Sequence, residues 1–359
     1  MFAAQSASEG ISTFTQLLQE SQAQHCSDLH VRIGRVPHWR MNGKLNATGY
    51  PQTDISTFWQ WANEVFSVEA IQHLQAGIAV SAVVEYSFAK VAVRGYSALN
   101  GAALSVRFLP THIPTIEQLG IPTALKQVCQ LDQGLVIVAG VTGSGKTTTL
   151  AALTNYINQI SLRHIVAIDE TAGYVYPKHQ ALVDQWVIGT HVTSAAQAIQ
   201  QAMQSDSDVI VVSQLSDRPT VDLALQAARS GNLVLACMSA ERALAALHEL
   251  FSLYSSTEQE FIRSRLAPTL QAVLAQHLVP TLNGQYRYSA IFDLLLVTDA
   301  VRPALAQGDL ASLSSLLQKP GTGMRSMLQD LNHLLAEERI TSKTLADVSR
   351  QLALTPPHP

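Results

Sequence analysis

The chain has 359 residues, of which 47% are hydrophobic and 14% charged, and its formal net charge is −4. This length predicts about two domains, and the composition excludes a largely disordered chain. The slight acidity gives no general attraction to nucleic acid, and no apolar run reaches the roughly 20 residues that span a bilayer. We therefore expect no nucleic-acid partner, and membrane contact only through partners.

Cysteine and histidine usage points to the cytoplasm and away from a metalloprotein. Cys26, Cys129 and Cys237 lie far apart, which predicts neither a disulfide framework nor a zinc site. The twelve histidines show no ligand spacing. The first ten residues lack the positive charge and apolar run of a signal peptide. The expected localisation is cytoplasmic.

The first hundred residues predict a small α+β domain. Apolar residues recur at helical spacing over residues 11–24, and Leu29, Val31 and Ile33 alternate with polar residues as in a strand. Helical periodicity returns over residues 58–74, and short strands are predicted at 80–86, 91–96 and 104–109. We place this N-terminal domain at residues 1–109. The proline-rich stretch that follows, residues 110–122, predicts a linker.

The rest of the chain alternates predicted strands and helices, which indicates an α/β domain with a mostly parallel sheet. A helical segment over 123–130 precedes apolar strands at 134–139, 165–168, 209–212 and 233–237. Beyond residue 255 the pattern is largely helical, apart from a hairpin predicted around Asn283 and Gly284. The predicted α/β core covers residues 123–254, and residues 255–359 form a mainly helical region.

One loop between a predicted strand and a predicted helix matches the Walker A pattern. Its residues are Gly140, Val141, Thr142, Gly143, Ser144, Gly145, Lys146 and Thr147. Glycines let the backbone N–H groups point inward, at the positive end of the following helix, which makes a site for phosphate. Lys146 is expected to reach the β- and γ-phosphates, Thr147 to ligate Mg2+, and Thr148 to contact the α-phosphate. The expected cofactors are ATP and Mg2+.

Other readings of this loop stay open on the motif alone. A glycine-rich turn can occur by chance at the start of a helix. The motif also does not separate an ATPase from a P-loop kinase or a GTPase. The sequence contains no guanine-reading Asn-Lys-x-Asp, which disfavours a GTPase.

Several segments beyond the loop resemble the twitching-motility retraction ATPases of the type II/IV secretion ATPase family. SDLHVRIGRVPHWRMNGKL (27–45) is similar to the opening strands of the family's N-terminal domain, and LPTHIPTIEQLGIP (109–122) to its linker. DLALQAARSGNLVLA (222–236) looks like the segment after its Walker B strand, and AVRPALAQGDLASL (300–313) like its retraction signature helix. The resemblance covers most of the chain. It implies a PAS-like α+β N-terminal domain, a RecA-like P-loop NTPase domain with a helical C-terminal part, and a hexameric ring with nucleotide at subunit interfaces.

The resemblance fails at residues that serve hydrolysis in the family. Its Walker B strand ends in Gly-Glu, whose carboxylate polarises water, but here Ser213 and Gln214 stand there. An amide accepts a proton poorly, and losing one general base typically costs ~10²–10⁴-fold in rate. The family's Glu-Asp-Pro-x-Glu reads Asp-Glu-Thr-Ala-Gly at residues 169–173, and its Thr-Leu-His-Thr reads Cys-Met-Ser-Ala at residues 237–240.

The candidate catalytic residues on this resemblance form an incomplete set. They are Asp169, Glu170, Gln214, Arg94 and Arg107. The family's further arginine between Arg94 and Arg107 is missing at ALNGAAL. Neutral drift explains any single change, but together the changes keep phosphate binding and lose water activation and charge stabilisation. We therefore predict an ATP-binding protein with weak hydrolysis.

The resemblance also implies partners. These are a homo-hexamer or a mixed ring with a paralogous ATPase, and an inner-membrane pilus platform protein that would hold the chain peripherally at the inner membrane. Three alternatives remain. The chain is a fully active motor in which Asp169 or Glu170 replaces the missing glutamate, a non-hydrolysing accessory subunit of a paralogous ring, or a remnant without a partner.

Overall fold

The computed structural model describes residues 13–41, 44–110, 112–171, 173–282, 288–319 and 321–354. The chain divides into two compact units, Met1–His112 with Thr171–Val175, and Ile113–Glu170 with Tyr176–Pro359. The first unit is α+β with an antiparallel sheet, and the second is α/β with a mainly parallel sheet. The predicted fold class is confirmed.

The first unit builds an antiparallel sheet in the strand order β3-β2-β1-β6-β5-β4. Its elements are α1 (Phe14–Ala23), β1 (Asp28–Arg32), β2 (His38–Met41), β3 (Lys44–Ala47), α2 (Ile55–Val65), α3 (Val68–Gln75), β4 (Val80–Glu85), β5 (Lys90–Ala98) and β6 (Gly101–Leu109). Alternate strand residues such as Leu29, Val93 and Val106 face a core that the helices complete with Phe14 and Phe58. Helices therefore cover one face of this sheet.

The helical stretch predicted over residues 58–74 is two helices. α2 ends at Val65, and α3 begins after Ser67, whose hydroxyl accepts a hydrogen bond from the backbone N–H of Ala70 at 3.3 Å. Serine is a strong N-cap, and its extended backbone interrupts the helix. The apolar periodicity continues across this break, so the spacing of apolar residues did not predict it.

The second unit builds a sheet in the order β13-β12-β7-β11-β10-β8-β9. Its elements are α4 (Ala124–Val128), β7 (Gly134–Ala139), α5 (Lys146–Ile160), β8 (His164–Asp169), β9 (Leu182–Val187), α6 (Ala195–Gln204), β10 (Val209–Val212), α7 (Arg218–Arg229), β11 (Leu233–Met238), α8 (Ala243–Ser252), α9 (Gln259–Thr269), β12 (Leu270–Pro280), β13 (Tyr288–Leu296), α10 (Val301–Gln307), α11 (Leu310–Gln318), α12 (Met327–Ala336) and α13 (Ser342–Gln351). All these strand pairs are parallel except β12 with β13.

The central strands of this sheet are buried on both faces. Every residue of β7, β10 and β11 is buried, which explains why they read as continuous apolar runs in the sequence. Parallel strands carry their carboxyl ends to one edge of the sheet, and this edge positions the loops that follow β7, β8, β10 and β11.

The region predicted as mainly helical also contributes β12 and β13 to the sheet. β12 runs parallel to β7, and β13 pairs with it antiparallel. The turn predicted at Asn283 and Gly284 lies outside the described residues, and the division at residue 254 stays a prediction. Within the described ranges, no helix has both the length and the apolar character to cross a membrane.

Candidate nucleotide-binding site

The loop between β7 and α5 forms a tight turn whose shape depends on glycine. Gly143 and Gly145 have φ angles of +82° and +89°, in the left-handed region that favours glycine. A Cβ on Gly140 would lie 2.2 Å from the Ser144 Oγ, so a side chain at residue 140 would collide with the loop. α5 begins directly after this loop, and the backbone N–H groups and dipole at its N-terminus favour an anion.

Lys146 begins α5 and turns back over the loop. Its Nζ donates to the carbonyl oxygens of Gly140 at 2.7 Å and Val141 at 3.0 Å. Burial lowers the pKa of this half-buried amine. The amine therefore lies against the loop, where the oxygens of a phosphate could replace the two carbonyls as its partners.

The other predicted loop residues differ in exposure. Thr142 and Thr147 are exposed, Ser144 is buried, and Val141 and Thr148 are partly buried. Thr147 lies in the first turn of α5. Its exposed side chain is accessible to a ligand at the start of the helix.

Residues predicted to act in hydrolysis meet at the carboxyl ends of neighbouring strands. Asp169 ends β8, Ser213 and Gln214 follow β10, and Ser239 follows β11. The backbone N–H of Glu170 donates to the Ser213 Oγ at 3.3 Å. The Gln214 Nε2 donates to the Ser239 Oγ at 3.2 Å. The family's glutamate and histidine positions are thus joined here by an amide–hydroxyl hydrogen bond.

Asp169 and Lys146 both influence the buried thiol of Cys237 electrostatically. Burial raises the pKa of the Asp169 carboxyl to about 6. Burial likewise raises the pKa of the Cys237 thiol to about 12, while the charge of Lys146 lowers it and that of Asp169 raises it. Cys237 is buried, so its thiol is inert, and both the lysine and the carboxylate lie near enough to influence it.

The residues of this site suit a magnesium nucleotide. The positive-φ glycines and the start of α5 supply N–H donors for phosphate, and the hydroxyl of Thr147 is an oxygen ligand of the kind that Mg2+ prefers. No cluster of three or more His, Cys, Asp or Glu that could hold a metal by itself occurs among the described residues. A metal here would therefore depend on the phosphates as well.

Arg94 and Arg107 belong to the first unit. They lie on adjacent strands β5 and β6, on the face opposite the helix-covered core. Both are exposed, and the Arg107 Nε donates to the Asp28 Oδ1 at 3.0 Å. Within the segment at residues 169–173, Ala172 lies outside the described residues. The roles of these residues in catalysis stay predictions.

The sequence interpretation missed one residue of the site, Gln276. It lies on β12 just beyond the pairing of Ala275 with Ala139, which places it beside Gly140. Its Nε2 donates to the carbonyl oxygen of Ser144 at 2.6 Å. No signal in the sequence revealed it, because the pairing of β12 with β7 cannot be read from either strand alone.

Comparison with known proteins decides the family. The profile of the family described as "Type II/IV secretion system protein" matches residues 69–319. The chain belongs to this family. Its relatives include the Escherichia coli protein YggR, 32% identical over 90% of this chain and 99% of that protein. The type IV pilus retraction ATPase PilT of Pseudomonas aeruginosa is 27% identical over 94% of this chain and 98% of that protein.

One solved structure has a fold very similar to that of this chain. The crystal structure of the pilus retraction motor PilT with bound ADP has a TM-score of 0.85 and 28% identity, and the match covers 97% of this chain and 98% of that one. The predicted resemblance to pilus retraction ATPases is therefore confirmed across nearly the whole chain.

Proposed function

We propose that this chain is an ATP-binding protein of a pilus retraction or secretion machine that hydrolyses ATP only weakly. The observation that carries this proposal is the Gln214–Ser239 hydrogen bond beside a complete phosphate loop. In the family resemblance these two positions hold a glutamate and a histidine. Binding is thus supported by the loop, while the group that would activate water is absent.

The chemistry of an amide explains the weak hydrolysis. The Nε2 of Gln214 donates to Ser239, so the group of this side chain that remains for an attacking water is the amide oxygen. That oxygen can orient a water by accepting a hydrogen bond, but it cannot take its proton. A rate lower by ~10²–10⁴-fold than with a positioned base is the expected consequence.

The named relatives support nucleotide binding and a place in a pilus machine. One is called a type IV pilus retraction ATPase, and the similar crystal structure holds ADP. Thr147 would hold a Mg2+ ion with the phosphates, and the ion would supply neutralising charge. Partners would be a homo-hexamer or a mixed ring with a paralogous ATPase, and a pilus platform protein at the cytoplasmic face of the inner membrane.

A paired measurement of affinity and turnover tests this function. We expect Mg-ATP to bind the purified protein in calorimetry while steady-state hydrolysis stays near background. Lys146→Ala should weaken binding more than tenfold, because a charge-assisted phosphate contact is worth about 1.5–3 kcal/mol. Lys343→Ala, on the exposed surface of α13, is the matched control and should bind normally. Unchanged affinity in Lys146→Ala would remove the loop as the nucleotide site, and fast turnover would refute weak hydrolysis.

The second candidate is a working motor with Asp169 as general base. The pKa of about 6 at Asp169 favours it, since a base that titrates near neutral pH is well matched to proton transfer. In that case turnover would rise as pH increases through 6, and Asp169→Asn would abolish it without loss of Mg-ATP binding. Background turnover at every pH would exclude this candidate.

A further inference from the structure

A buried glutamine on β12 contacts the phosphate loop from the neighbouring strand. Gln276 is only 2% exposed, and its Nε2 donates to the Ser144 carbonyl oxygen at 2.6 Å. A carbonyl oxygen only accepts hydrogen bonds, so the amide must present its nitrogen to the loop. The orientation of this side chain is therefore determined by its contact with the loop.

The loop and Gln276 also pack closely at both ends of the loop. A Cβ on Gly145 would lie 3.0 Å from the Gln276 Nε2, and a Cβ on Gly140 would lie 2.9 Å from the Gln276 carbonyl oxygen. The Oε1 of Gln276 is buried without a hydrogen-bond partner among the described residues. Burying an oxygen without a hydrogen-bond partner costs free energy of folding, so a glutamine at this position is expected to serve a purpose. The contact that its amide makes is with the phosphate loop.

We propose that Gln276 is a positioning residue that holds the phosphate loop in its phosphate-binding shape. Ser144 lies between Gly143 and Gly145, the two residues in left-handed conformation. The Ser144 carbonyl shares one planar peptide unit with the N–H of Gly145, so anchoring the oxygen also fixes the direction of that N–H. This inference rests on the proposed nucleotide site, because the restraint affects binding only if phosphates occupy the loop.

The physical effect is preorganisation. Without the Gln276 hydrogen bond the free loop samples other conformations, and phosphate binding must then order it at a cost in affinity. Loss of one buried hydrogen bond is expected to weaken binding about tenfold.

The strand itself offers a matched control. Gln271 lies on β12 beside Gly134, at the opposite end of β7 from the loop. Gln276→Met and Gln271→Met each remove one amide from the same strand and keep a similar side-chain volume. Calorimetry with Mg-ATP and with inorganic pyrophosphate, on protein shown to be folded, compares them. Hydrogen exchange of the backbone amides of residues 143–147 without nucleotide adds a second measurement.

We expect Gln276→Met to weaken Mg-ATP and pyrophosphate by the same factor of about ten. Its loop amides should exchange faster, and Gln271→Met should match the unmodified protein in both measurements. Equal affinities in all three proteins, or equal losses in both Met variants, would overturn the positioning role. If the unmodified protein does not bind Mg-ATP, the proposed function is refuted. Hydrogen exchange of the loop amides would still test whether Gln276 holds the loop in place.

Discussion

At the residue scale, Gln214 differs from the family's glutamate by one atom, an amide nitrogen in place of a carboxylate oxygen. Gln214→Glu restores a proton acceptor at the position where the family polarises water. We expect steady-state ATP turnover to rise by roughly tenfold and not to full activity. The gain is partial because Gly173 and the missing arginine leave the charges around the transition state incomplete.

A second substitution sharpens this test. Ser239→His combined with Gln214→Glu restores both family residues and should exceed the single variant. Gln226→Glu adds the same charge at an exposed position of α7 and should leave turnover unchanged. If Gln214→Glu still binds ATP but stays at background, the missing base is not what limits hydrolysis.

Asp169 predicts a pH dependence of stability. Its pKa is about 6 in the folded protein and near 3.8 when exposed, so the folded state binds the proton more tightly. Stability therefore falls as pH rises from about 4 to 6, and the lost stability stays lost above pH 6. Because one pKa unit is worth about 1.4 kcal/mol, the full cost is at most about 3 kcal/mol.

Asp169→Asn removes this titration. Without nucleotide, its unfolding temperature should exceed that of the unmodified protein at pH 7, and the difference should shrink toward pH 4. A difference independent of pH would show that the carboxyl of Asp169 titrates normally.

At the element scale, buried carboxylates join the start of α12 to β13. Asp293, on β13, is 1% exposed, accepts a hydrogen bond from the backbone N–H of Met327 at 2.8 Å and pairs with Arg242. Asp330, on α12, accepts from the backbone N–H of Phe292 at 2.8 Å. The pKa of Asp330 is raised by burial and held down in part by Arg325. These contacts attach the C-terminal helices to the sheet.

Asp293→Ala should therefore be strongly destabilising. It leaves Arg242 without its carboxylate and the Met327 N–H without an acceptor. Because Arg242 is 28% exposed, we expect the lower end of the range for a broken buried pair, about 3 kcal/mol of unfolding free energy in urea denaturation. Asp347→Ala breaks an exposed pair with Arg350 and should cost less than about 1 kcal/mol. Equal effects of the two variants would contradict the role of the buried pair.

At the scale of the whole molecule, the proposed ring should depend on nucleotide. In the family resemblance the nucleotide lies between one subunit's ATP-binding domain and the neighbouring N-terminal domain, where Arg94 or Arg107 would reach it. Binding at such an interface stabilises the assembly by mass action. Mass photometry should show few rings without nucleotide and more with Mg-ATP. Lys146→Ala should not respond to nucleotide, and a monomer under all conditions would contradict the ring.

The sequence by itself determined the phosphate loop and the strands that frame it. The loop is a run of consecutive residues, and β7 and β10 have the bounds that their apolar runs predicted, Gly134–Ala139 and Val209–Val212. The loop and these buried strands can be predicted from the sequence because glycine conformation and the burial of a parallel strand depend on local residue types. The division into α2 and α3 could not be predicted from the sequence. The spacing of apolar residues continues across Ser67, although this serine caps a new helix.

Only the tertiary structure decided which distant residues meet at the loop. Gln276 and Ser144 are 132 positions apart, and Gln214 and Ser239 are 25 apart. Their contacts depend on the order and register of β12, β7, β10 and β11 in the sheet. Strand order follows from how all the apolar faces pack together, so no segment of the sequence contains it.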